Sequence, residues 1–477
     1  MAITFDSFVF WIFLAAVWLL WILSPSVVYR RALLAGSGLV YYYLVQPGSI
    51  ALLLIITAFT YLAANGIQRA ELPQLRLRLL WLGIGAAAAS LIVYKYAGAM
   101  GAAGARLAEL APGLRDEAGQ FVLPLGISYY VFQAIGYLID CYRKQAPEDA
   151  SILDYSTYLS FFPHITAGPI LRSMDFLPQL RERLRLTAPL LWESLTLITF
   201  GLFKKMVIAD NLADTVNIAY ANLAGSNPVQ VVIATYAYAV QIYCDFSGYT
   251  DVAIGAALLF GLKLPANFRW PYLSESIADF WNRWHISLSH WLRDYVYFSL
   301  PGLRSRSKLV PHRNMLITMA LCGIWHGAGW TFLVWGLYHG MMLVCYRLLQ
   351  PLWRKLQIGP AWLQKFAAIL LVQQVVVLGW VLFRIQSIGD IRVFLSRLTD
   401  FSAYGPALQA LPGDMKAVAV LVAAVWLGQF VHQKLPVSDF VRTRPWNPWA
   451  MSLLLLLGMV IITFKQSAPM PFLYFKF

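Results

Sequence analysis

The chain has 477 residues, of which 59% are hydrophobic and only 13% charged, with a formal net charge of +14. Soluble domains carry about 25% charged residues, so this composition, with a mean hydropathy of +0.61, excludes a soluble domain. The apolar runs are continuous, which excludes the short alternating segments of an outer-membrane barrel.

A helix crosses a bilayer with about 20 apolar residues, and the sequence therefore predicts an all-α, polytopic membrane protein. Its surplus Lys and Arg belong to cytoplasmic loops and helix ends, not to nucleic-acid binding. The run FVFWIFLAAVWLLWIL, residues 8–23, lacks the basic start and cleavage site of a removable leader and is expected as a retained first span. Arg30 and Arg31 follow it. Then come ALLAGSGLVYYYLV, a turn at QPGS, IALLLIITAFTYLAA, and the basic residues Arg69, Arg76 and Arg78. A span from about Leu79 to Tyr96 and a Gly/Ala-rich loop lead to FVLPLGISYYVFQAIGYLID, with Arg143 and Lys144 directly after. Basic clusters thus follow the first, third and fifth spans, which predicts a periplasmic N-terminus.

The next segment, YSTYLSFFPHITAGPILR, is apolar but broken by Pro163, Gly168 and Pro169. It is expected to be re-entrant, because irregular backbone persists at membrane depth only where protein or a wet cavity surrounds it. Further spans are expected at about 188–208, 229–245, 248–262, 314–325, 329–349, 366–384, 414–432 and 449–465. The total is about a dozen, in a single integral membrane domain over residues 1–477. Cys141, Cys244, Cys322 and Cys345 show no paired spacing and read as buried thiols.

One segment resists assignment as a span. SESIADFWNRWHISLSHWLRDYVYFSL, residues 274–300, holds Glu275, Asp279, Arg283, Arg293 and Asp294, too many charges to face lipid. As one helix it would place Trp281, Trp284, His285, Leu288, Leu292 and Tyr295 on one face, and Arg283, Ser287, His290 and Asp294 on another. An amphipathic helix at the interface or dipping into a cavity is predicted. A plain interfacial anchor is the simpler reading, and His285 on the aromatic face weighs against it.

His326 sits in GIWHGAGW between two apolar runs. A lone histidine there is often only structural. Yet an ionisable group deep in a membrane segment is costly and tends to line a polar pathway. Gly323, Gly327 and Gly329 leave room for a substrate or another helix to approach, and imidazole takes and returns protons near neutral pH. With no G-x-S-x-G elbow and no zinc-ligand spacing, the candidate chemistry is histidine-assisted group transfer without a metal. QIYCDFSGYTDVAIG adds Asp245 and Asp251, which either orient a histidine or, the favoured reading, join helices. Arg304, Arg306, Lys308 and Arg313 form an ordinary positive loop or a rim that attracts a phosphorylated donor.

NFRWPYLSESIADFWNRWHISLSHWLRDYVY, followed by GIWHGAGWTFLVWGLYHG, resembles the membrane-bound O-acyltransferase family. The similarity is to its bacterial branch, whose members O-acetylate alginate, cellulose or peptidoglycan, or transfer D-alanine to teichoic acid. LPLGISYYVFQAIGYLIDCYR, FFPHITAGPILR and YCDFSGYTDVAIG resemble further blocks, so the resemblance covers about residues 120–345. It implies spans around a central funnel, with the family histidine at His326 and the branch's second histidine at His285. It also implies acyl transfer from a cytoplasmic thioester, with acetyl-CoA the expected donor and no bound cofactor, to a hydroxyl beyond the inner membrane. Trp325, Trp281 and Trp284 would wall the tunnel, with Asp245 supporting. A periplasmic serine-type acetyltransferase and the polysaccharide synthesis and export machinery are the implied partners. Two alternatives are carried: a D-alanyl transferase fed by a carrier-protein thioester, and a transporter in which His285 and His326 relay protons. Transporters often show internal pseudo-repeats, and none is visible here.

Overall fold

The computed structural model describes residues 4–24, 26–101, 106, 122–147, 149–166, 168–182, 185–302, 307–355, 359–435, 437–466 and 470–473. Among these every regular element is a helix, as composition demands. The chain forms two compact units, Met1–Ile198 with Tyr249–Pro265, and Thr199–Gly248 with Ala266–Phe477.

In the first unit the helices Phe8–Leu23, Val27–Val45, Ile50–Arg69, Pro73–Tyr96 and Ile127–Tyr142 follow the expected apolar runs. Their starts are marked by polar caps and by prolines. Ser7 accepts from the Phe10 N–H, and Pro73 occupies the first helical position, where no donor is lost. The helix Ile152–Ser160 begins with a capping box between Ser151 and Asp154. Arg31 reinforces that start by pairing with Asp154 at 2.5 Å. After Ser160 the chain becomes irregular, and Phe161, Phe162, His164 and Ile165 are fully buried. The Gln133 amide donates to His164 Nε2 at 3.0 Å. The expected re-entrant stretch is therefore irregular backbone enclosed by protein.

The second unit departs from expectation in two places. Two spans were expected at 229–245 and 248–262, but a single helix runs from Pro228 to Leu259, with residues up to Gly248 in this unit. Gly248 does not break it. A Cβ there would lie 2.6 Å from the Gly201 carbonyl, so the glycine serves close packing instead. The 274–300 segment, expected as one amphipathic helix, is interrupted. Ile277–Trp281 ends at Asn282, His285 adopts a left-handed backbone, and Ile286–Trp291 starts afresh before the π-helical turn Leu292–Val296. One continuous helical wheel therefore does not describe it.

The later helices match the expected runs: Val310–His326, Trp330–Lys355, Ala361–Arg384, Gly413–Lys434 and Pro448–Phe464. Val310–His326 and Trp330–Lys355 approach so closely that a Cβ on Gly336 would strike the Met319 carbonyl and lie 3.1 Å from Gly323 Cα. Among the described residues five helices are long and apolar enough to cross a membrane, or six if the bent pair Val437–Thr443 and Pro448–Phe464 counts as one span. The protein is thus a multi-pass, all-helical membrane protein. The remaining expected spans are shorter or more polar helices among the described residues, such as the 16-residue Phe8–Leu23. Cys141, Cys244 and Cys322 are buried free thiols, and Cys345 is half-buried.

Candidate functional site

His285, His326 and their aromatic neighbours all fall in the second unit. His326 is the last residue of its helix and is only 4% exposed. Its imidazole meets Trp325 at 4.8 Å, Trp335 at 5.0 Å and Phe383 at 5.2 Å between ring centroids. Three helices, Val310–His326, Trp330–Lys355 and Ala361–Arg384, supply those rings. The surrounding glycines divide by role. Gly323 lets the two helices touch, since its Cβ would overlap the Phe332 carbonyl, and Gly327 makes room for the Phe332 ring. Around Gly329 the nearest atom to a Cβ would be Thr331 Oγ1 at 3.5 Å, an ordinary contact.

His285 is 1% exposed and has φ 42°, a region disfavoured for any residue with a β-carbon. Phe246 stands edge-on to its ring at 4.7 Å, and Trp325 lies at 6.2 Å. Trp325 therefore touches both expected histidines. Asn267, 18 positions earlier, holds the bend: its backbone carbonyl accepts from the Ile286 N–H at 2.9 Å. Its side-chain oxygen accepts from the Ser287 N–H at 3.1 Å and the Ser287 hydroxyl at 2.8 Å, and engages His285 Nδ1 at 3.2 Å. Burial lowers the His285 pKa, because an apolar surround disfavours the charged imidazolium.

A third histidine joins them. His339, in WGLYHG, is fully buried, with Trp335 at 4.9 Å and Trp281 at 5.3 Å. Trp335 thus touches His326 on one side and His339 on the other. Neither His339 nor Trp335 was singled out from the sequence, although His339 shows the same signal as His326, a histidine beside glycine within an apolar run. Trp281 borders His339 and Trp335. Trp284 instead packs against Trp380 at 4.7 Å and Phe268 at 5.0 Å, and its ring reaches that of His285 through Phe268 and then Phe246.

The other expected residues have different settings. Asp245 pairs with Lys205 at 2.7 Å and accepts from the Leu473 N–H at 2.8 Å, the helix-joining role favoured from the sequence. Asp251 falls in the first unit. Lys308 is exposed, and Arg313 donates to the Pro301 carbonyl at 2.5 Å and to Asn314 Oδ1 at 2.8 Å. Arg304 and Arg306 lie outside the described residues. Among the described residues no three metal-binding side chains converge. What the second unit assembles is a set of buried imidazoles walled by indole and phenyl rings. Imidazole is a side chain that takes and returns protons, and aromatic walls of this kind exclude water.

Comparison with known proteins agrees with the resemblance read from the sequence. A profile of the membrane-bound O-acyltransferase family matches residues 140–373, which include both expected histidines and His339. A protein of Pseudomonas putida named probable alginate O-acetylase is 33% identical over 94% of this chain and 95% of its own length. One of the same name from Azotobacter vinelandii is 37% identical over 77% of this chain and 72% of its own. A peptidoglycan O-acetyltransferase of Helicobacter pylori is 32% identical over 75% of each.

Proposed function

The chain belongs to the membrane-bound O-acyltransferase family, and from that premise we propose that it moves an acetyl group from cytoplasmic acetyl-CoA across the inner membrane for O-acetylation of an exported polysaccharide of the alginate or cellulose type. The observation that carries the mechanism is His326, buried among Trp325, Trp335 and Phe383 at the end of its helix.

In this reading the His326 imidazole takes the proton of an acceptor hydroxyl as its oxygen attacks the thioester carbonyl. The new C–O bond forms, the C–S bond breaks, and the imidazolium returns the proton to the departing thiolate. Atoms and charge balance without another reactant. His285 positions the acyl group or shares the proton, and Trp325 and Trp281 exclude the water that would otherwise hydrolyse the donor. Coenzyme A is too large and too charged to cross lipid, so only the acetyl group traverses the protein. A funnel within about a dozen spans is part of this proposal. So are a periplasmic N-terminus, supported by the basic residues after alternate apolar runs, and a phosphate-attracting rim at Arg304, Arg306, Lys308 and Arg313. A periplasmic serine-type acetyltransferase then receives the group and modifies the polymer.

The test is polymer acetylation in cells carrying His326→Ala, with membrane abundance of the variant measured alongside. Acetylation is expected to vanish while the protein accumulates normally. Persistent acetylation would remove His326 from the reaction. Supplying purified acetyl-CoA or an acyl carrier-protein thioester to membranes separates acetyl from D-alanyl transfer, and only the former is expected to serve.

A further inference from the structure

We infer that Asn267 is a positioning residue that locks His285 in the tautomer protonated at Nδ1, leaving Nε2 as its proton-accepting nitrogen. The inference rests on the proposed reading of His285 as part of the transfer site, and its core is a donor and acceptor count. The Ser287 backbone N–H can only donate, and it points at the Asn267 side-chain atom 3.1 Å away. That atom is therefore the carbonyl oxygen, since an amide nitrogen there would set donor against donor. His285 Nδ1 lies 3.2 Å from the same oxygen. An acceptor facing Nδ1 requires the ring proton to be there, and in a neutral imidazole the lone pair then sits on Nε2.

Two further observations fit an amide placed for this purpose. The Asn267 side chain is buried, 1% exposed, and its Nδ2 has no hydrogen-bond partner, so one half of the group is left unsatisfied in order to present the other. The His285 backbone is also held at φ 42°, and the hydrogen bonds around this bend join 267–269 to 283–287. Ile286 and Ser287 donate to Asn267, and Arg269 donates to the Arg283 carbonyl at 2.9 Å. Strain of this kind persists where surrounding contacts over-determine it, often at functional sites. A helix running straight through 285 would point the ring elsewhere.

The test begins with 15N NMR of histidine-labelled wild-type protein in bilayers, with the His285 signal identified by its loss in His285→Gln. The Nδ1–H tautomer is expected; an Nε2–H tautomer overturns the inference and leaves the acyltransferase reading standing. Because this measurement uses the wild-type protein, it does not depend on any variant folding. Asn267→Ala is then expected to randomise the tautomer and lower the transfer rate by on the order of 100-fold. Asn267→Asp keeps an acceptor facing Nδ1, so it should restore much of the rate. It should also move the acid limb of the pH profile upward, because a carboxylate favours imidazolium. An unchanged tautomer and pH profile in Asn267→Ala would overturn the inference. Full transfer by His285→Gln would instead remove His285 from the reaction, a failure of the functional reading itself.

Discussion

At the scale of single residues, the site is a matter of which rings touch which imidazoles. Trp325 contacts both His285 and His326, so under the proposed reaction it is the indole best placed to keep water from the acyl group. Trp325→Phe is expected to raise thioester hydrolysis several-fold relative to transfer, read as free thiol released without acetylated product. Equal losses of both rates would mean the indole only supports packing. Trp325→Ala is the poorer probe, since an aromatic deletion in a packed interior costs about 3–5 kcal/mol. His326 was legible because an ionisable group amid apolar text is conspicuous. His339 carries the same sequence signal, while the indole linking it to His326, Trp335, looks in the sequence like any membrane tryptophan. Asn267 could not have been found that way. Its hold on His285 spans 18 residues, beyond the reach of any local pattern.

At the scale of elements, the length of the apolar runs located most of the helices, and the reading failed where long-range contacts intervene. The 274–300 segment reads as one amphipathic helix, yet the Asn267 carbonyls take the Ile286 and Ser287 donors and break it at His285. Two spans are expected at 229–245 and 248–262, but one helix runs through both, and at Gly248 the Gly201 carbonyl fills the space a side chain would need. The glycines near His326 turned out to be mostly about helix contact. Gly323→Leu would drive a side chain into the Phe332 carbonyl and Gly336. Overpacking costs about 1–3 kcal/mol or more, so the melting temperature in detergent should fall clearly. Gly329→Ala meets only ordinary contacts and should melt like the wild type. Equal melting of the two variants would contradict the helix-contact role of Gly323.

At the scale of the molecule, apolar composition settled membrane residence and helical architecture, because a bilayer leaves the backbone few alternatives. It said little about how buried charges are reconciled. Lys205, in the π-helical turn Phe203–Ala209, pairs with Asp210 at 2.8 Å and Asp245 at 2.7 Å, all three nearly inaccessible. It also donates to the Met470 carbonyl at 3.0 Å. Removing one member strands the others, which costs about 3–5 kcal/mol. Lys205→Met is therefore expected to cut the level of folded protein sharply, and adding Asp245→Asn should recover part of it, as coupled sites do. Strictly additive losses would show that the pair is not coupled. The same contacts reach toward the site, for Phe472 packs on Phe246, which packs on His285. They also impose an order on biosynthesis. The carbonyl that completes the coordination of Lys205 is made 265 residues after it. Until Met470 is made Lys205 lacks this partner, and the Phe472 ring that packs on Phe246 beside His285 is likewise supplied late in synthesis.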